Sequence, residues 1–193
     1  MIGDLIGGVL TYFSMIMLVL AVGIAVAMAR PWRKGTCALF TEELFRWVAL
    51  LGAGAVGLYT AGMHIFFPKV SAEAIGWATS PFQFEVGMAD LTIGVLSVLA
   101  FRAGLGFRAA ATIAVTVFLG GDAVGHVRQM IVADNFAPGN AGPWFWSDVL
   151  VPAIMIGTLV ELWRQSAKPE GSSPRGRAFD LAEPQEEEAL AAV

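Results

Sequence analysis

The run LIGGVLTYFSMIMLVLAVGIAVAMA, residues 5–29, holds no charged side chain and is followed at once by RPWRK, residues 30–34. Hydrocarbon offers no partner to backbone N–H and C=O groups, so a stretch of about 20 apolar residues crosses a bilayer as a helix. The end of the run, AVAMAR, has the small-x-small look of a signal-peptide cleavage site. It lacks a basic n-region, however, and exceeds the length of a signal h-region. The basic cluster behind it reads as a stop-transfer signal, so a retained helix is expected.

The composition of the whole chain agrees with that reading. Of 193 residues, 56% are hydrophobic and 15% charged, and the mean hydropathy is +0.67. Soluble domains carry about 25% charged residues. Four further apolar segments follow, at 47–67, 82–101, 106–130 and 145–163. The expected fold is therefore all-α, a polytopic membrane bundle of five transmembrane helices over residues 1–167. A single cysteine, Cys37, excludes an intramolecular disulfide and any CxxC motif. Nothing is basic and aromatic enough for nucleic acid, and no nucleophile elbow, P-loop or HExxH motif is present.

Orientation follows from the basic residues. With the N-terminus outside, the cytoplasmic segments hold Arg30, Arg33, Lys34, Arg46, Arg102, Arg108, Arg164, Lys168, Arg175 and Arg177, which leaves Lys69 and Arg128 outside. Trp32, Trp47 and Trp163 then fall at inner ends, and Trp77, Trp144 and Trp146 at outer ends, where an indole sits at headgroup level. The expected location is the bacterial cytoplasmic membrane, with the C-terminus inside. Residues 168–193, rich in Pro, Gly, Ser and Glu, read as a disordered acidic cytoplasmic tail. TEELFRW, residues 41–47, begins like a helix N-terminus, so the second helix is expected to start before its apolar run.

The polar residues inside these spans gather at one depth. At about 1.5 Å rise per residue, His64, Glu85, Asp122 and His126 come from three helices to a common outer layer. Ionisable groups in a membrane pair with one another, line a cavity or mark a functional pathway. Two imidazoles and two carboxylates suit a divalent metal such as zinc, manganese or ferrous iron. They also suit a proton relay, and His64 with His126 could ligate a haem iron. Against these stands a structural reading in which the polar groups join helices of a non-enzymatic accessory subunit, with Arg128 neutralising Glu85 or Asp122. Asp90, near mid-depth between Gly87 and Gly94, is expected to bond Ser14 or Thr11, with Glu85 on a different face of its helix. Asp148 reads as interfacial and Tyr59 as a packing residue.

Small residues mark where helices approach: Ala53, Gly57 and Ala61 in the second span, Gly87 and Gly94 in the third, Gly121 and Gly125 in the fourth. The first span offers a stripe of Asp4, Gly7, Thr11, Ser14 and Leu18. The loop ADNFAPGNAGPWFWSD, residues 133–148, is rich in turn formers, and its Asn140, Trp144, Phe145 and Trp146 are expected to form a lid over the polar layer. The loop after the second span is long enough for a short interfacial helix ending at Ser80–Pro81. Lipid contact is implied throughout; a protein partner or a homo-oligomer stays open.

Three segments carry a resemblance: IGWATSPFQFEVG (75–87), GGDAVGHVRQM (120–130) and NFAPGNAGPWFWSD (135–148). They resemble the signature segments of a family of small bacterial and archaeal multi-spanning membrane proteins known only as a domain of unknown function. The resemblance covers about residues 45–165. Its pattern of SPFQxEVG, then GH, then PGNxG points to Ser80, Pro81, Phe82, Gln83, Glu85, Gly87, Gly125, His126, Pro138, Gly139, Asn140 and Gly142. It implies the outer-face polar site and brings no activity or cofactor.

Overall fold

The computed structural model describes residues 2–29 and 37–167, with side chains from Leu10 and from Leu39 onward. Among the described residues every regular element is helical. In chain order these are α1 (Ile2–Ala29), α2 (Cys37–Trp47), α3 (Val56–Phe66), α4 (Pro68–Ile75), α5 (Phe82–Ala100), α6 (Leu105–Ala133), α7 (Pro138–Ala141) and α8 (Pro143–Ser166). A π-helical stretch, Val48–Ala55, joins α2 to α3, so the second span is one helix that begins well before its apolar run. Five helices are long and apolar enough to cross a membrane: Leu10–Ala29, Leu39–Phe66, Phe82–Ala100, Leu105–Ala133 and Pro138–Ser166. The protein is a multi-pass membrane helix bundle. The basic residues Arg30, Arg33 and Lys34, Trp32, the side chain of Asp4, and the tail 168–193 lie outside the described residues.

The distribution of polarity suits lipid. Val117, Val124 and Ile131 are more than two-thirds exposed, whereas Ser14, Ser97, Thr112, Arg108 and Asp148 are buried. Lipid tails are as apolar as leucine, so helices there associate through close packing and internal polar contacts. The tightest approach is between the second span and α5. A Cβ at Gly57 would lie 3.0 Å from the Asp90 carbonyl oxygen, and one at Gly94 would lie 2.8 Å from the Leu58 nitrogen. Gly87 packs its backbone against Ile65 in the same way. On the other side α6 packs chiefly on α8. Although a short turn at residues 101–104 joins α5 to α6, each therefore leans mainly on another partner.

The dry core, centred on Phe45, Val48, Val115 and Met155, fills the half of the bundle nearest the start of α2. That end is closed by buried Arg108, which grips Glu42 through two hydrogen bonds of 2.7 Å. Its guanidinium also donates to the Ala100 carbonyl at 3.3 Å, and Arg46 donates to the Phe101 carbonyl at 3.1 Å. Two arginines thus satisfy carbonyls that the end of α5 leaves without helical partners. Ser14 is buried with no side-chain hydrogen bond, so the expected Ser14–Asp90 contact is not made. The short helix after the second span is present as α4. It ends earlier than expected, at Gly76, whose φ of 71° is the left-handed conformation that glycine adopts freely.

The glycine contact yields a prediction. Gly57→Leu should destabilise the protein in detergent by about 1–3 kcal/mol, because the backbones must separate to admit the side chain. Gly23→Leu, whose Cβ position has no neighbour within 4 Å, should leave the unfolding midpoint nearly unchanged. Equal midpoints for the two variants would remove Gly57 as the packing determinant.

Candidate functional site

Between the two helix pairs, at the end away from Arg108, lies a cavity of about 540 Å³. Each element contributes one stripe of side chains to it, at the spacing that keeps residues on one helical face. The second span supplies Ala53, Val56, Thr60, Met63 and His64, and α5 supplies Gln83, Val86, Asp90 and Ile93. From α6 come Leu119, Asp122 and His126; from α8 come Trp144, Ser147, Asp148 and Val151. The cavity therefore gathers three aspartates and two histidines. Among the described residues no Lys or Arg lines it. Asp90 and Asp148 each lie within electrostatic reach of Asp122, and Asp148 within reach of Asp90.

Asn140 organises one wall. Its side chain is fully buried, on the short helix α7. Its amide nitrogen donates to the backbone carbonyls of Asn135 at 2.9 Å and His126 at 3.2 Å. Its carbonyl oxygen accepts from the Trp77 indole at 3.0 Å and lies 2.8 Å from His126 Nδ1. Peptide carbonyls only accept and an indole N–H only donates, so the orientation of this amide is determined. It follows that His126 Nδ1 carries a hydrogen and donates it. Nε2 then faces the Asp148 carboxylate, 3.6 Å away. With no further proton, a nitrogen lone pair would confront carboxylate lone pairs. A proton on either Nε2 or the carboxyl would relieve that repulsion.

Local sequence explains the arrangement around Asn140. Pro138 occupies the first turn of α7, where its missing N–H is no loss. Gly139 is required because a Cβ there would run into the Ala74 carbonyl of α4. Asn135 donates to the Ile75 carbonyl at 2.9 Å and binds the loop to the end of α4. Pro152 in α8 cannot donate to the carbonyl four residues earlier, so the Asp148 backbone oxygen keeps a free lone pair at the level of the cavity. Aromatic rings complete the walls: Tyr59 stacks on Trp144 at 6.2 Å, and Trp77 lies 5.9 Å from His126.

Of the four residues expected to share a layer, His64, Asp122 and His126 line this cavity and Glu85 does not. Glu85 sits two residues from Gln83, about 200° around the helix, and is exposed in the first turn of α5. A carboxylate there complements the positive end of the helix dipole. His64 instead meets Gln83 through Nδ1. Among the described residues no group of three or more His, Cys, Asp or Glu is arranged to hold a metal ion. Arg128 is exposed and, among the described residues, makes no ion pair with Glu85 or Asp122. His64 and His126, the pair the haem reading needs, line the same cavity, with His126 Nε2 facing the Asp148 carboxylate. Trp144 lines the cavity, whereas Trp146 is exposed.

Asp148, read from sequence as interfacial, is buried beside His126, and Tyr59, read as packing, forms part of the wall. A signal for Asp148 was present. Trp144, Ser147, Asp148 and Val151 repeat at three- and four-residue steps, which puts an acid on a buried stripe.

The comparison with protein families meets the same segments. A family model described as a family of unknown function, DUF6790, matches residues 11–168. The chain belongs to this family. No curated protein and no solved structure matches it. The match takes in all five apolar helices, with the first beginning just before residue 11, together with the whole of the cavity but for Leu10.

Removing Asn140 should show how much depends on it. Asn140→Leu would leave the Trp77 N–H, the His126 Nδ1–H and the Asn135 carbonyl without the partner described, and should destabilise the protein by more than about 2 kcal/mol. Trp77 should also emit at longer wavelength as water reaches it. Unfolding and emission like those of the wild type would contradict the bonding described.

Proposed function

We propose that this DUF6790 protein binds a small positively charged species within the membrane, with the three cavity aspartates as receptor and protons as exchangeable occupants. The observation that carries the reading is the convergence of Asp90, Asp122 and Asp148 on one cavity whose described walls contain no Lys or Arg. Carboxylates crowded in a medium of low dielectric repel one another, and their charge must be offset by protons or a bound cation. His126 Nε2 faces the Asp148 carboxylate at 3.6 Å, in a direction fixed by Asn140, and the pair is one place for such a proton. His64 and Tyr59 are the other titratable groups on the wall. By the count of basic residues, this end of the bundle faces outward in a bacterial cytoplasmic membrane.

A second reading, an accessory subunit in which polar groups only join helices, draws support from the four contacts of Asn140. It predicts that Asp122 and Asp148 matter for stability alone. Proton release separates the two. When sodium, ethylammonium or manganese(II) chloride is added to weakly buffered protein in detergent, at least one salt should displace up to about one proton per chain. The Asp122→Asn/Asp148→Asn variant should stay folded and release none. Identical traces for wild type and variant with all three salts would overturn the cation reading.

A further inference from the structure

The size and lining of the cavity narrow the ligand further, granted the cation reading above. We infer that the ligand is an organic ammonium ion with an aromatic or otherwise apolar body and one hydrogen-bonding group. Three features carry this, each independent of the charge count.

Volume comes first. A water molecule takes about 30 Å³ of liquid, and a bare inorganic cation needs little more than its own ligand cage. The cavity measures about 540 Å³, within the roughly 300–1,000 Å³ that small organic ligands occupy. The donor geometry agrees, since no described cluster is arranged as a metal cage.

Lining is the second feature. Most of the wall is apolar, with Val56, Met63, Val70, Ile75, Ile93 and Leu119 around it. Tyr59, Trp77 and Trp144 line the same space. Aromatic faces attract ammonium groups through their quadrupole, and most strongly where water is excluded. A hydrated inorganic ion would gain nothing from such walls, whereas an amine with a hydrocarbon body matches both parts.

The third feature is an unmatched polar atom. Ser71 of α4 lines the cavity and is more than nine-tenths buried, and its hydroxyl has no hydrogen-bond partner. A buried hydroxyl left alone costs about 1–3 kcal/mol. A ligand with a donor or acceptor remote from its ammonium group would satisfy it, with the charged end on the side of Asp90, Asp122 and Asp148.

Calorimetric titration of the full chain in detergent tests the assignment with a matched pair of probes. Tyramine carries an ammonium group, an aromatic ring and a hydroxyl, and tyrosol is its uncharged counterpart with a hydroxyl in place of the ammonium. Tyramine should bind the wild type at least about tenfold more tightly than tyrosol. Asp122→Asn should remove that preference and Asp122→Glu should restore part of it, both variants eluting as the wild type does. Ser71→Ala should weaken tyramine severalfold while leaving its preference over tyrosol. Equal affinity for the two probes, or no heat from either, overturns the organic-ammonium inference. If manganese(II) or sodium chloride still displaces protons in that case, the cation reading survives alone. If no salt does, both fall together.

Discussion

The cavity end of this bundle depends on one buried amide. Asn140 joins α7 to α6 through His126 and to the segment after α4 through Trp77, and it closes its own loop on Asn135. All four bonding capacities named here are used, which fixes both the direction of the amide and the tautomer of the histidine. The direction of His126 Nε2, toward the Asp148 carboxylate, follows from that single side chain. The glycine beside it is equally constrained, because α7 and α4 touch through the backbone at Gly139 and Ala74.

The two ends of the molecule solve opposite problems. At the Arg108 end, two arginines meet carboxylates: Arg108 with Glu42, and Arg46 with Glu43, which also accepts from the Trp47 indole. The bidentate Arg108–Glu42 pair holds α6 and α2 in register. At the cavity end, acids outnumber described basic groups on the wall, and the imbalance is left facing an open volume. Similar residue types thus lock one end and leave the other receptive. The π-helical stretch lies between them, contributing Val48 and Ala49 to the core and Gly52 and Ala53 to the cavity wall. Such stretches widen a helix and often accompany functional sites.

The fold was legible because membrane solvation acts on every residue of a span. Twenty or so apolar residues must form a helix whatever surrounds them, and the five runs announced themselves. The boundaries were less so: α2 extends the second span through Glu42, Glu43 and Arg46, whose charges are neutralised by partners distant in sequence or on the next turn. The site was half legible. Depth along the chain brought His64, Asp122 and His126 to one layer, and these do line one cavity. Depth alone says nothing about azimuth, and the separate helix face of Glu85, legible in its spacing from Asp90, keeps it off the cavity wall. Asp148 was passed over because a Trp-rich loop beside an acid resembles a membrane interface, although its helical stripe pointed inward. The tautomer of His126 was beyond sequence reading, since it rests on Asn135, Asn140 and Trp77 meeting in space.

The chain contains two histidines, so His64→Gln leaves a single imidazole to observe. Nitrogen-15 NMR of that variant, labelled at histidine and held in a lipid nanodisc, tests the central arrangement directly. The account predicts a one-bond N–H coupling at His126 Nδ1 in both the neutral and the charged ring, with only Nε2 changing between them. A neutral ring protonated at Nε2 with Nδ1 bare would contradict the Asn140 hub and the direction in which His126 faces Asp148.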